Sequence, residues 1–287
     1  MTIRLLETPE EMAAIEELQR QVWPGSETEV VPAHLLIAAV HNGGLVLGAF
    51  EGEKMVGFLF GFPGFESLPD GPRAKHCSHM LGVLESHRDL GLGFLLKRAQ
   101  WQMARQQGLD HVTWTYDPLL SRNAHLNIAK LGAVCSAYLR SQYGDMRDGL
   151  NAGLPSDRFH VDWWIRTRRV ERRLGKRSRG TLGLLHFQQA ETQPLHVPIA
   201  RADGFLQPPE HFSHPDGRLA LVEIPFDFMA LKSADLALAR DWRFFTRELF
   251  ETCFGAGYLV TDFVLDRESG KSLYVLADGE STLGNVL

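Results

Sequence analysis

The sequence predicts an α/β protein built on a mixed α+β sheet, followed by a smaller C-terminal β-α-β-β part. Three observations carry this reading. Short apolar strand candidates alternate with amphipathic helical stretches along the first 166 residues. An apolar run ending near Leu84 passes through Arg88-Asp89-Leu90-Gly91-Leu92-Gly93 into a new helical pattern. The chain has 287 residues, which suggests about two domains.

The elements follow in order. Ile3 to Glu7 is a short strand candidate. Thr8-Pro9-Glu10-Glu11 is a helix start, with Thr8 as N-cap, Pro9 at the first helical position and Glu11 completing a capping box. Met12, Ile15, Leu18 and Val22 then share one face until Trp23-Pro24-Gly25. A second helix near Ala33 to Val40 stops at Asn42-Gly43-Gly44. Leu45 to Phe50 and Met55 to Phe62 read as strands about a turn at Glu51 to Lys54, and Lys75 to Leu84 as the next strand. A helix reaches Gln107, His111 to Tyr116 is a strand ending at Asp117-Pro118, and another helix covers Arg122 to Leu131. Strands near Ala133 to Tyr143 and Arg158 to Ile165 complete the series.

The glycine junction is the feature with the most chemistry. A strand that ends on glycines and opens straight into a helix leaves several backbone N–H groups unpaired at the positive end of the helix dipole. Such a corner cradles anions, and glycines let a phosphate come close to the main chain. A P-loop would need Lys-Ser or Lys-Thr after Gly93, and a dinucleotide fingerprint would need glycine where Leu96 stands.

The remaining form, Arg88-x-x-Gly91-x-Gly93 between strand and helix, resembles the coenzyme-A pyrophosphate loop of the GNAT acyltransferase superfamily. The element order over roughly residues 1–166 is similar to that family as well. A second family marker is present in altered form. Anchored on Lys130-Leu131-Gly132-Ala133, its Asn, Ala, Tyr and Gly fall on Ser121, Ala124, Ile128 and Gly132, so Ala and Gly match while Asn and Tyr do not. Asn123 and Asn127 lie nearby, out of register.

The resemblance implies acetyl-CoA or another acyl-CoA as donor, with no metal, and direct transfer to an amine in a ternary complex. It implies cofactor contacts at Leu81, Val83, Arg88, Asp89, Leu90, Gly91, Leu92, Gly93, Phe94 and Asn123. The family tyrosine commonly protonates the departing thiolate. Ile128 cannot, which leaves Tyr138, Tyr143 or solvent. For the base that deprotonates the amine, the candidates are His79, Glu85 and Asp117. His76 and His79 should point to opposite faces of their strand, with His79 on the face of Leu81 and Val83.

Composition sets limits. Hydrophobic residues make up 44% and charged residues 23%, an ordinary globular balance. No run approaches the ~18 apolar residues of a membrane span, and the start has no signal-peptide core. Three scattered cysteines fit a reduced, cytoplasmic setting. The net charge of −5 argues against a nucleic-acid binder. One basic segment stands out, Arg166, Arg168, Arg169, Arg172, Arg173, Lys176, Arg177 and Arg179. It reads as a solvated face, or as a surface meeting acidic residues or the CoA 3′-phosphate.

The expected division is 1–166 as the acyl-CoA-binding catalytic domain, 167–181 as a basic junction and 182–287 as a C-terminal α+β domain serving acceptor binding or dimerisation. In that last part, Leu182 to Phe187 and Arg218 to Ile224 read as strands. A polar loop with Glu210, His211 and His214 offers no defined metal geometry. Ser233 should cap a long helix bearing Leu238, Trp242, Phe245, Leu249 and Cys253, and a hairpin follows over 258–276. On that helix Arg240, Arg243 and Arg247 share one flank, which is either solvated or grips a substrate carboxylate. The expected activity is transfer of an acetyl or succinyl group to a small amine, an amino acid among the candidates. A non-catalytic acyl-CoA-binding module and a protein-interaction domain on the same scaffold are the alternatives.

Overall fold

A computed structural model describes residues 1–25, 27–146, 149, 151–175, 182–190 and 192–279. Lys176, Arg177 and Arg179 of the basic segment lie outside the described residues. The chain divides into two compact units. One holds Met1–Trp114, Arg147–Gly149 and Trp163–Arg166, and the other holds Thr115–Met146, Leu150–Asp162 and Thr167–Leu287.

In the first unit, β1 (Thr2–Leu5), β2 (Leu45–Glu51), β3 (Lys54–Leu68), β4 (Gly71–Val83) and β5 (His111–Tyr116, counted here to Trp114) lie side by side in that order. Neighbours run antiparallel until β5, which is parallel to β4. Residues along β2 are buried on both faces, which explains its unbroken apolar run. Helices α1 (Pro9–Val22) and α2 (Ala33–His41) cover one face, where Met12, Ile15 and Leu36 pack with Val46, Phe58 and Phe60. Helix α3 (Leu92–Gln106) covers the other, with Leu96 against Leu47, Ala49 and Leu59. The expected capping box is present in full: the Glu11 amide donates to Thr8 Oγ1 at 3.3 Å, and the Glu11 carboxylate accepts from the Thr8 amide at 3.1 Å.

The second unit contains the short α4 (Ser121–Ala124), which continues as a π-helical stretch, His125–Lys130. Its strands are β6 (Val134–Leu139), β7 (Arg158–Trp164, counted here to Asp162), β8 (Gln193–Pro194), β11 (Leu219–Ile224), β12 (Tyr258–Asp266) and β13 (Lys271–Asp278), in the sheet order β7-β6-β12-β13-β11-β8. The two-residue strands β9 (Ile199–Ala200) and β10 (Leu206–Gln207) pair with each other. Helices α5 (Arg168–Leu174), α6 (Leu184–Gln189), α7 (Phe228–Ala234) and α8 (Leu236–Gly255) complete it. Trp242, Leu249, Phe250 and Cys253 of α8 are fully buried, and the Phe159 ring meets those of Phe250, Phe254 and Tyr274.

Two expectations for this half are corrected. Leu182 to Phe187 does not form a strand, because residues 184–189 are helical. Leu184 and Phe187, three apart, pack on one apolar cluster while Leu185 is exposed, which is helical rather than alternating spacing. Ser233 does not cap the long helix either. It belongs to α7, and Asp235 caps α8 by accepting the Leu238 amide at 3.0 Å. Part of the basic segment turns inward: Arg169 donates to the Gly132 carbonyl at 2.8 Å and Arg173 pairs with Asp262 at 2.8 Å.

Candidate functional site

The glycine junction differs from the expected direct strand-to-helix step. After Val83 ends β4, a 3-10 turn, Glu85–His87, intervenes before α3. Its cause is local: Leu84 is buried ahead of it, and buried His87 is bonded to Ser86 and Glu51. Arg88 and Leu90 are exposed, and Asp89 adopts φ 70°. Gly91 is the N-cap of α3 at φ 78°, and a Cβ built there would meet nothing within 4 Å. The corner is therefore open, and its conformation suits glycine. The first intrahelical bond runs from the Leu95 amide to the Gly91 carbonyl at 3.1 Å. That leaves the amides of Leu92, Gly93 and Phe94 as the orphan donors of the helix start. Donors, dipole and open space together fit a diphosphate.

Strand β4 supplies the second feature. It pairs with β5 at His76↔Val112 and Cys77↔Thr113, and the described pairing goes no further, so the two strands part after Cys77. From Ser78 to Val83 the β5-facing edge of β4 is left without that neighbour. At the same point the register with β3 slips: Gly61 faces Ser78 and Phe60 faces Met80, so His79 is the extra residue of a β-bulge.

The bulge corrects the expected face of His79. Two consecutive residues now point the same way, and the exposed His79 ring leans against Phe60 and Phe62, on the face of the sheet that α1 and α2 cover. Leu81 packs on the α3 side instead, while Val83 touches both apolar clusters. Desolvation lowers the His79 pKa below 6.5, so its imidazole is largely neutral at pH 7. His76 lies on the α3 side, fully buried, where Gln100 donates to its Nε2 at 3.0 Å. Glu85, the other candidate on this unit, is exposed at the start of the turn.

His76 makes a stability prediction. Burial, and then the charge of Lys97, push its pKa down to about 4. Between pH 6.5 and 4 the unfolded chain binds a proton that the folded chain refuses, so this contribution is complete above pH 6.5 and lost as pH falls to about 4. The loss amounts to roughly 3 kcal/mol at most. A His76→Gln variant should show a shallower decline in denaturant midpoint across that window. Equal slopes would refute it.

Sequence reasoning singles out neither Lys97 nor Gln100. The signal was available: both fall with Trp101 and Ala104 on one buried stripe of α3. Lys97 Nζ donates to Ser78 Oγ at 2.7 Å and sits 3.6 Å from the centroid of the Trp114 ring.

In the second unit, Asp157, which the sequence reading passes over, gathers Tyr138 and Arg247, and the Asp117–Arg243 pair joins them through a bond between Arg243 and Tyr138. The fully buried Asp157 accepts from Arg247 Nε at 2.8 Å and Nη2 at 3.0 Å, from the Tyr138 hydroxyl at 2.9 Å and from the Ser141 amide at 2.9 Å. The available signal was the pair Asp157-Arg158 at the entry to an apolar strand. Arg243 grips Asp117 with both terminal nitrogens, one at 2.9 Å. Arg240 reaches the Gly153 carbonyl at 3.3 Å. A ligand carboxylate would thus have to compete with Asp117 and Asp157 for Arg243 and Arg247. Burial first, then the Asp157 and Asp117 charges, hold the Tyr138 phenol above its ordinary range against the opposing pull of Arg243, and its hydrogen goes to Asp157. Tyr143 bonds Thr115 at 2.7 Å. Asn123 is half-buried on α4, and Ile128 is fully buried.

Residues 12–132 match the family model described as the acetyltransferase (GNAT) family. Similar solved structures include aminoglycoside 6′-acetyltransferase type Ii, with 17% identity, 58% of this chain and 99% of that chain covered, and a TM-score of 0.45. They also include the ribosomal-protein-S18-alanine N-acetyltransferase of Escherichia coli, with 15% identity, 58% and 94% covered, and a TM-score of 0.43. A third is Arabidopsis thaliana Naa50 in complex with a bisubstrate analogue, with 15% identity, 56% and 98% covered, and a TM-score of 0.43. No curated protein matches the chain. With the family match and the open helix start on the same stretch of sequence, residues 12–132 belong to the GNAT acetyltransferase family.

Proposed function

We propose that the protein is a CoA-dependent N-acyltransferase that transfers an acetyl or succinyl group directly to the amine of a small molecule such as an amino acid. The observation that carries this is the open corner at Gly91, where the unpaired amides of Leu92 to Phe94 adjoin the end of a strand whose outer edge has parted from β5. Acyl-CoA, when bound, supplies the activated thioester. The amides of Leu92, Gly93 and Phe94 hold its diphosphate, with the segment Arg88 to Leu90 flanking them and the Arg88 cation adding charge. Main-chain groups of β4 about Leu81 and Val83 align the pantetheine arm as a further strand would be aligned. His79, neutral and displaced by the bulge, accepts the proton of the attacking amine. We assign residues 1–166 to catalysis, 167–181 to a junction and 182–287 to acceptor binding or self-association. The three free cysteines support a reducing, cytoplasmic setting.

Calorimetry with acetyl-CoA and succinyl-CoA tests the reading. Gly93→Trp should bind about 100-fold more weakly than the native chain, since losing two charge-assisted bonds is worth roughly 3 kcal/mol. Equal affinities would remove the cradle, and absence of binding by the native chain would end the proposal. The aliphatic Ile128 favours a second reading, a non-catalytic acyl-CoA-binding module. Binding without thiol release over a panel of amines and amino acids would select it.

A further inference from the structure

A departing thiolate takes up a proton, and Ile128 has none to give. The closed end of the β4–β5 divergence holds a group that does. Ser78 is the first residue of β4 beyond the last described pair with β5, and its side chain turns to the α3 face, where Lys97 meets it. From Val83, near the cradle, to Ser78 the strand spans about 16 Å, and the pantetheine arm proposed above lies along it.

Lys97 is 3% exposed, and it forms no ion pair with a described carboxylate. Its ammonium is bounded by the Trp114 ring at 3.6 Å and the Trp163 ring at 5.8 Å. The titratable neighbours on β4 are His76 and Cys77. A lysine so enclosed has one evident polar partner, the Ser78 oxygen. Because that oxygen accepts from Lys97, the serine's own hydrogen is left to point elsewhere.

We propose that Ser78, backed by Lys97, donates the proton to the sulfur of the departing thiolate. The inference rests on the acyl-CoA reading above. As the thioester C–S bond breaks, the Ser78 O–H proton passes to sulfur and a Lys97 N–H proton passes to the Ser78 oxygen. The amine's proton has gone to His79, and exchange with water restores both groups, so that the net transfer is from amine nitrogen to thiol. Burial pushes the Lys97 pKa down to about 7, with Cys77 opposing, so the residue gives and regains a proton near neutral pH. In this relay Ser78, 4% exposed before any ligand binds, is assigned the contact with the sulfur, and Lys97 acts through it.

The test needs no acceptor. Thiolate absorbance of CoA bound to the full-length protein is followed across about pH 5 to 9, against a reference holding acetyl-CoA, which has no free thiol. The bound thiol should titrate at least about one pH unit lower in the native chain than in Ser78→Ala or Lys97→Met, a tenfold shift in proton affinity. Acetyl-CoA affinity is measured in the same three chains, so that each titration is read at full ligand occupancy. Equal thiol titration in the native chain and Ser78→Ala overturns the relay alone. Failure of the native chain to bind either ligand overturns the relay together with the acyl-CoA reading. If Lys97→Met does not fold, Ser78→Ala decides by itself.

Discussion

Arg243→Ala should lower the unfolding free energy by about 3–5 kcal/mol, a large share of what a domain of this kind possesses. Arg243 is 1% exposed and Asp117 is 8% exposed. Truncating the arginine strands a buried carboxylate whose remaining partner is the Leu119 amide at 2.9 Å. Burial opposes the Arg243 charge, yet the Asp117 carboxylate outweighs it and holds the guanidinium above its ordinary range. The partners are therefore mutually dependent, and much of the penalty comes from the orphaned charge rather than from the bond. It follows that the double variant Asp117→Leu/Arg243→Met should recover most of the loss, because an apolar pair of similar volume carries no desolvated charge. Denaturant midpoints of the three chains measure this. A loss below about 1 kcal/mol for Arg243→Ala would mean that Asp117 finds another partner or water, and would return it to the list of free bases.

That pair also shows what sequence could and could not deliver. Local signals read well: the Thr8 capping box and the apolar stripe of α1 stand where spacing put them, and α3 starts at the glycines, although a 3-10 turn separates it from β4. Their physics lies within a few residues. The faces of β4 read poorly from His79 onward, because one extra residue reverses parity and nothing in Cys77-Ser78-His79-Met80 marks a bulge. Arg243 and Arg247 read as a solvated flank or a substrate grip because their partners, Asp117 and Asp157, lie 126 and 90 residues away in the chain. Lys97 went unseen for the opposite reason. A lone lysine in a helical pattern reads as solvent-facing by habit, even when the stripe it occupies is the buried one.

His79→Ala should cut turnover of acetyl-CoA with the best acceptor in an amine panel by about 10²–10⁴-fold, the range a positioned general base supplies. The bulge sets His79 at the point where β4 parts from β5, against Phe60 and Phe62. Desolvation lowers its pKa below 6.5, so the proton-accepting form predominates at neutral pH and is lost only on the acid side. The sign follows: kcat/KM of the native enzyme should climb through an inflection below pH 6.5 before reaching its plateau. In His79→Ala that inflection should vanish while acetyl-CoA affinity by calorimetry is kept, since the cradle at Leu92 to Phe94 lies elsewhere on the unit. His79→Gln, which preserves polarity but takes no proton, should resemble the alanine variant in both rate and profile. Should the acid inflection survive in either variant, the proton goes to another group, and Glu85, exposed at the end of the same strand, becomes the residue to replace next.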